Sequence, residues 1–212
     1  LGGHMSYWLT MGVLTIFMCI SIKTESSMAL KFLKPASLMA LILSVFFFTT
    51  TPHSLSYFAL LCGLALSVFA QIREVSGNQN KRGQLICFAL VSLCYSVMFW
   101  IQVDKVSWVV PVILLAFSII LFFLLLPLFD GFVIPAAVIG IIVWQLSWAA
   151  GEVWKLHHTW SHFTGFIGSL FLALSALIWV IHHFKSSFRY SNYLFLVAYF
   201  ASQTLITSSI IF

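Results

Sequence analysis

The sequence predicts an all-α, polytopic membrane protein: a bundle of about eight transmembrane helices. Three observations lead there. Of the 212 residues, 62% are hydrophobic and 7% are charged, whereas a soluble domain carries about 25% charged residues. The apolar residues fall in stretches near the length a spanning helix needs, about 20 residues, and the stretches are separated by short polar loops. Lys and Arg crowd into alternate loops, as the charge rule for membrane topology demands.

In chain order, the apolar segments are Tyr7–Ile22, Leu33–Thr50, Ser54–Ile72, Gln84–Gln102, Trp108–Leu126, Phe132–Trp154, Phe163–Phe184 and Tyr190–Phe212. No A-x-A-like cleavage site follows the first, so it reads as a retained helix. The residues ahead of Met5, Leu1 to His4, read as a tag remnant, and residues 5–212 as one transmembrane domain. Pro127, Asp130 and Gly131 separate the fifth segment from the sixth. No low-complexity linker and no internal repeat is found.

Odd-numbered loops hold Lys23, Lys31, Lys34, Arg73, Lys81, Arg82, Lys185 and Arg189, eight of the ten basic residues; Lys105 and Lys155 are the other two. The odd loops are therefore expected in the cytoplasm, both termini outside, and the expected membrane is a bacterial inner one. This charge excess reflects topology, so no nucleic-acid partner is expected. Trp8, Trp108, Trp154 and Trp160 lie near segment ends, as interfacial anchors do. Cys19, Cys62, Cys87 and Cys94 lie inside apolar segments without CxxC spacing and read as packed thiols. His157, His158 and His162 are assigned to the sixth loop, and His182-His183 to a basic collar. Neither group offers a convincing ligand set, and no metal or cofactor is expected.

Several segments carry polar or small residues at helical spacing. These are Gly63, Ser67 and Gln71; Ser92 and Ser96, with Tyr95 on that side; and Gln145, Trp148 and Glu152. Gly165, Ser169, Ala173 and Ala176 follow in the seventh segment, and Tyr199, Gln203 and Thr207 in the eighth. In lipid, small residues let helices approach closely, and polar side chains need partners within the protein. Segments three, four, six, seven and eight can thus surround one polar pocket. Ordinary helix packing glued by Ser, Thr and Gly explains the same stripes, and both readings stand at this stage. Glu152 is either a pocket residue near its mouth, accepting hydrogen bonds from helix seven or eight, or an interfacial acid.

The landmarks together resemble the lysoplasmalogenase (YhhN-like) family of eight-helix membrane proteins. The resemblance is carried by Lys34-Pro35, Gly63-Leu-Ala-Leu-Ser67, Tyr95, Ala150-Gly151-Glu152-Val-Trp154 and Gly168-Ser-Leu-Phe. His183-Phe184 with Phe188-Arg189, and Ala198-Tyr199-Phe200-Ala201 before Leu205-Ile206, complete it. It implies hydrolysis of the vinyl ether of a lysoplasmalogen, giving a fatty aldehyde and a glycerophospho-ethanolamine or -choline. Membrane lipids, a lysophospholipid first among them, are the partners it implies.

The family pattern carries an Asp after Gly ending the third helix, an Asp after Ser in the seventh, and a His three residues before Tyr95. Here those places hold Ala70-Gln71, Ser175-Ala176 and Ser92. The remaining candidates for proton transfer are Glu152, Tyr95 and Tyr199. Those for holding a lipid are Lys34, Ser67, Gln71, Ser92, Ser175, Ala176 and Gln203. A catalytically lost relative that still binds lysolipid is the alternative to a hydrolase. A small-solute transporter is a third class, disfavoured because no Gly/Pro-broken helix pairs recur in two halves.

Overall fold

The computed structural model describes residues 2–24, 27–49, 54–77, 80–128, 133–184 and 190–212. Lys185, Phe188 and Arg189, the loop residues Asp130 and Gly131, and the segment ends Thr50 and Phe132 lie outside them. The described residues form eight α-helices: α1 Gly2–Lys23, α2 Ser27–Phe48, α3 Leu55–Val75, α4 Lys81–Trp100, α5 Val109–Leu125, α6 Val133–His157, α7 Trp160–Phe184 and α8 Ser191–Ile211. Among them there is no strand.

Seven of these helices are long and apolar enough to cross a membrane. The exception is α5, with 17 residues, or about 25 Å at 1.5 Å per residue. A 3-10 turn, Leu126–Leu128, extends it by about 6 Å, which brings it to roughly the 30 Å of a hydrocarbon core. The protein is an integral membrane protein.

Local chemistry sets several helix ends. Ser54 accepts a hydrogen bond from the Tyr57 amide at 3.2 Å, and Asn80 accepts one from the Arg82 amide at 3.2 Å; both cap orphan N–H groups. Gly77 follows α3 with φ +82°, a conformation that glycine adopts without cost. His158 takes φ +49° and donates its amide to the Trp154 carbonyl at 2.8 Å, ending α6 in a left-handed cap.

Some boundaries differ from expectation. α2 begins at Ser27 rather than Leu33, so Lys31 and Lys34 stand on the helix and Pro35 lies within it. α6 and α7 are separated by His158 and Thr159 alone, so His157 and His162 are helical residues and not loop residues. In each case hydrogen bonding carries the helix past the apolar stretch into polar residues, where hydropathy falls but backbone geometry does not change.

The helices pack in a closed ring, α1–α2–α3–α4–α6–α7–α8–α1, with α8 also touching α2 and α3. α8 is therefore the inner helix, and 67% of its spanning stretch is buried against 17–39% in the other six spans. α5 lies outside the ring against α6. The apolar core is built on Leu60, Leu64, Met98, Leu146, Leu172 and Ile206, all fully buried. Close approach depends on two glycines. A Cβ at Gly63 would overlap the Tyr95 ring of α4, and one at Gly168 would come within 2.9 Å of the Ile206 backbone nitrogen of α8.

Trp8, Trp108 and Trp160 are exposed near helix ends. Trp154 instead packs on α7, its ring stacked on Phe166 at 5.6 Å. All four cysteines are unbridged; Cys87 is buried, whereas Cys62 faces outward from α3, so not every thiol is packed.

Candidate functional site

The four-residue spacing on α3 and α8 brings two polar stripes against Tyr95 of α4. The Tyr95 hydroxyl donates to Gln203 Oε1. Gln203 Nε2 donates to Ser67 Oγ at 3.4 Å, and Ser67 Oγ donates to the Gly63 carbonyl at 2.9 Å. The Tyr199 hydroxyl, one turn before Gln203, lies near Ser67, Gln203 and Gln71. Tyr95, Ser67 and Gln203 are fully buried, and in an apolar surround each hydroxyl or amide left without a partner is costly. Three helices are thus tied together at one polar node.

On the other side of Tyr199 and Gln71 lies a cavity of about 1000 Å³. Helices three, four, six, seven and eight all contribute walls, and α1, α2 and α5 supply the remainder. Most of the wall is apolar, with Phe88, Phe117, Leu121, Val143 and Leu177 among its residues. One end is polar, where Lys34, Arg73, Glu74, His182, His183 and Asn192 meet. Lys34 Nζ lies 3.0 Å from Glu74 Oε1. The His183 Nδ1 proton is donated to the Trp179 carbonyl at 2.9 Å, and His182 Nδ1 lies 2.6 Å from Ser191 Oγ. The cavity is amphipathic, with a charged end and an apolar length.

The structure divides the sequence-predicted residues into three groups. Lys34, Gln71, Ala176 and Tyr199 line the cavity. Ser67, Tyr95 and Gln203 stand behind that wall in the hydrogen-bonded node. Ser92 and Ser175 are fully buried without reaching the cavity. Ser175 Oγ bonds the Leu172 carbonyl of its own helix at 2.7 Å, and Ser92 Oγ has no partner among the described residues. Gln71 Oε1 likewise lacks one.

Glu152 goes elsewhere. It is 3% exposed and accepts a hydrogen bond from Ser107 Oγ at 2.9 Å, while Lys155 Nζ donates to the same hydroxyl at 2.6 Å. The donor thus comes from the loop before α5 rather than from α7 or α8, and Glu152 does not line the cavity. Its stripe neighbours belong to that other end too. Gln145 accepts from Trp100 Nε1 at 2.7 Å, and Trp148 sits among Trp100, Trp108 and Trp144.

Sequence reasoning passed over Arg73, Glu74 and the two α7 histidines as site residues. A signal existed for Glu74, which stands three residues after Gln71 and so shares its helix face. Among the described residues there is no cluster of three or more His, Cys, Asp or Glu side chains able to hold a metal ion.

Residues 30–210 match the family model of the YhhN family. The chain belongs to the YhhN family. Over 154 residues it is 25% identical to the protein named "Uncharacterized membrane protein YhhN" in Escherichia coli O6:H1 (strain CFT073), covering 72% of this chain and 74% of that one. The same figures hold for the proteins of that name in Escherichia coli O157:H7 and Shigella flexneri. No solved structure matches. In this YhhN-family chain, both residues that stand where the resemblance expects carboxylates, Gln71 and Ala176, are on the cavity wall.

Proposed function

We propose that this YhhN-family protein holds a single-chain phospholipid in the cavity, lysoplasmalogen being the class the resemblance implies, and that it does so without the family's acid pair. One observation carries the reading: Gln71 and Ala176 both line the same amphipathic cavity. At about 1000 Å³, the cavity is at the upper end of the usual range for ligand pockets, about 300–1,000 Å³. Its charged end suits a headgroup and its apolar length suits one hydrocarbon chain.

Vinyl-ether hydrolysis needs a proton delivered to the enol-ether carbon, attack by water and collapse of the hemiacetal. One group must give a proton and another must take one from water. The Gln71 amide hydrogen-bonds but does not exchange a proton near neutral pH, and the Ala176 methyl does neither. Binding survives these substitutions and the acid–base chemistry does not. A hydrolase remains the second reading, favoured because Glu74, His183 and Tyr199, side chains of the types that serve in proton transfer, line the cavity. The even-loop face, with both termini, is assigned to the outside of a bacterial inner membrane.

The deciding measurement is aldehyde release, alongside binding, from a defined lysoplasmalogen and the purified protein in detergent. The expected result is saturable binding with no aldehyde above background. Q71D with A176D puts two acids into the cavity and is expected to raise aldehyde release. Turnover by the parent chain matching a family member with both acids would establish the hydrolase instead. Absence of binding would remove the lipid reading altogether.

A further inference from the structure

The basic residues at the charged end fall into two kinds. Lys23, Lys31, Lys81 and Arg82 are exposed, as side chains do when they meet water and lipid headgroups beside the protein. Lys34 and Arg73 are half-buried and line the cavity. Among the described residues the ion pair is Lys34 with Glu74, and none of their carboxylates pairs with Arg73 where it reaches the cavity. Its side-chain contact is the Cys87 thiol, 4.0 Å from Nη1. The guanidinium is held over α4 at Gly83, where a Cβ would come within 2.7 Å of Nη2. A cation drawn inward at a membrane protein's edge and left without a counterion is costly. A guanidinium offers five donors in a rigid fork that matches two phosphate oxygens at once.

We propose that Arg73 and Lys34 form a phosphate subsite for the headgroup of a single-chain phospholipid, with Glu74 facing the headgroup's ammonium. This assignment rests on the reading of the cavity as a lysolipid site and adds what part of the lipid is recognised and by which residues. Arg73 takes two phosphate oxygens through its fork and Lys34 takes a third. Glu74 Oε1 holds Lys34 in position, and its second oxygen is left to face the positive charge of an ethanolamine ammonium or a choline trimethylammonium. Two protein cations and one anion then meet one phosphate and one ammonium. The ligand class is a zwitterionic lysophospholipid, its chain running along Phe88, Phe117 and Leu121.

The test compares three probes on the purified parent protein in detergent: a 1-O-alkyl lysophosphatidylethanolamine, the 1-O-alkylglycerol with the same chain, and inorganic phosphate. The lysophospholipid is expected to bind at least tenfold tighter than the alkylglycerol, and inorganic phosphate to displace it only at hundredfold or greater excess. Arg73→Gln should erase the preference while leaving alkylglycerol affinity unchanged, and Arg73→Lys should restore part of it. Because the parent's preference needs no variant, a misfolded Arg73→Gln protein does not remove the test, and Lys34→Gln gives a second reading of the subsite. Equal affinity for the two lipids overturns the phosphate subsite and leaves the lipid cavity standing. Phosphate competing at the lysophospholipid's own concentration overturns the lipid headgroup in favour of free phosphate. If neither lipid binds, the cavity reading falls and this assignment with it.

Discussion

Gln203 is fully buried in α8, and its amide serves two hydroxyls from two other helices. Replacing it by Leu leaves Tyr95 and Ser67 facing an apolar group, a loss of roughly 1–3 kcal/mol where a buried donor is stranded. Gln203→Leu should therefore lower the unfolding temperature in detergent. Thr207, one turn further on, is also fully buried, but its hydroxyl has no partner among the described residues. Thr207→Val should leave the unfolding temperature unchanged or raise it, and a fall as large as that of Gln203→Leu would show that Thr207 has a partner after all. At Glu152 the two properties separate. Glu152→Leu strands Ser107 and Lys155 and should destabilise the protein, Glu152→Gln should do so less, and neither should alter lysolipid affinity because the acid is away from the cavity. A weakened affinity in a folded Glu152→Gln protein would tie the two ends of the molecule together. These residues also mark what was legible in advance. Ser67 with Gln71 and Tyr199 with Gln203 were readable because a helix brings every fourth residue to one face. The partner of Glu152 was not, since Ser107 lies in a loop with no periodicity to follow.

At the scale of helices, tolerance to a small side chain should track how closely neighbours approach. Gly63→Val drives two methyl groups into the Tyr95 ring and should separate α3 from α4. Gly12 on α1 has nothing within 4 Å of a built Cβ, so Gly12→Ala should be neutral or stabilising, glycine being the weaker helix former. Unfolding temperatures of the two variants in one detergent make the comparison, and similar losses in both would contradict the packing described. Hydropathy was a good guide to which stretches are helical and a poor guide to where they stop. It reports residence in hydrocarbon, whereas α2 from Ser27 and α7 from Trp160 continue through polar residues on backbone hydrogen bonds. The same bias hid the charged end of the cavity, because Arg73 and Glu74 looked like residues leaving the membrane.

For the molecule as a whole, the number of helices and their membrane character followed from composition and segment length. Their arrangement did not, because apolar faces of equal greasiness do not name their neighbours. The ring passes from α4 directly to α6 and leaves α5 outside, and Gln145 of α6 ties that step by accepting from Trp100 Nε1 and donating to Ser96 Oγ of α4. Orientation is open to direct measurement. With the four native cysteines replaced, single cysteines at Ser76 and His158 sit in exposed positions at opposite ends of the bundle. A membrane-impermeant thiol reagent added to intact cells should modify the His158 position and spare the Ser76 position. The reverse pattern would invert the assigned topology.

The inner place of α8 has a consequence for the order in which the protein is made. Ribosomal synthesis delivers α8 after the other seven helices, yet α8 closes the ring and supplies the amide that Tyr95 and Ser67 require. Until it arrives, those two hydroxyls face a gap, and α1 waits for the Thr204 carbonyl that its Tyr7 hydroxyl bonds at 2.7 Å. The partly made chain is therefore an open crescent with an unsatisfied polar lining. The newest helix meets partners for its polar face that the earlier helices already hold in the bilayer.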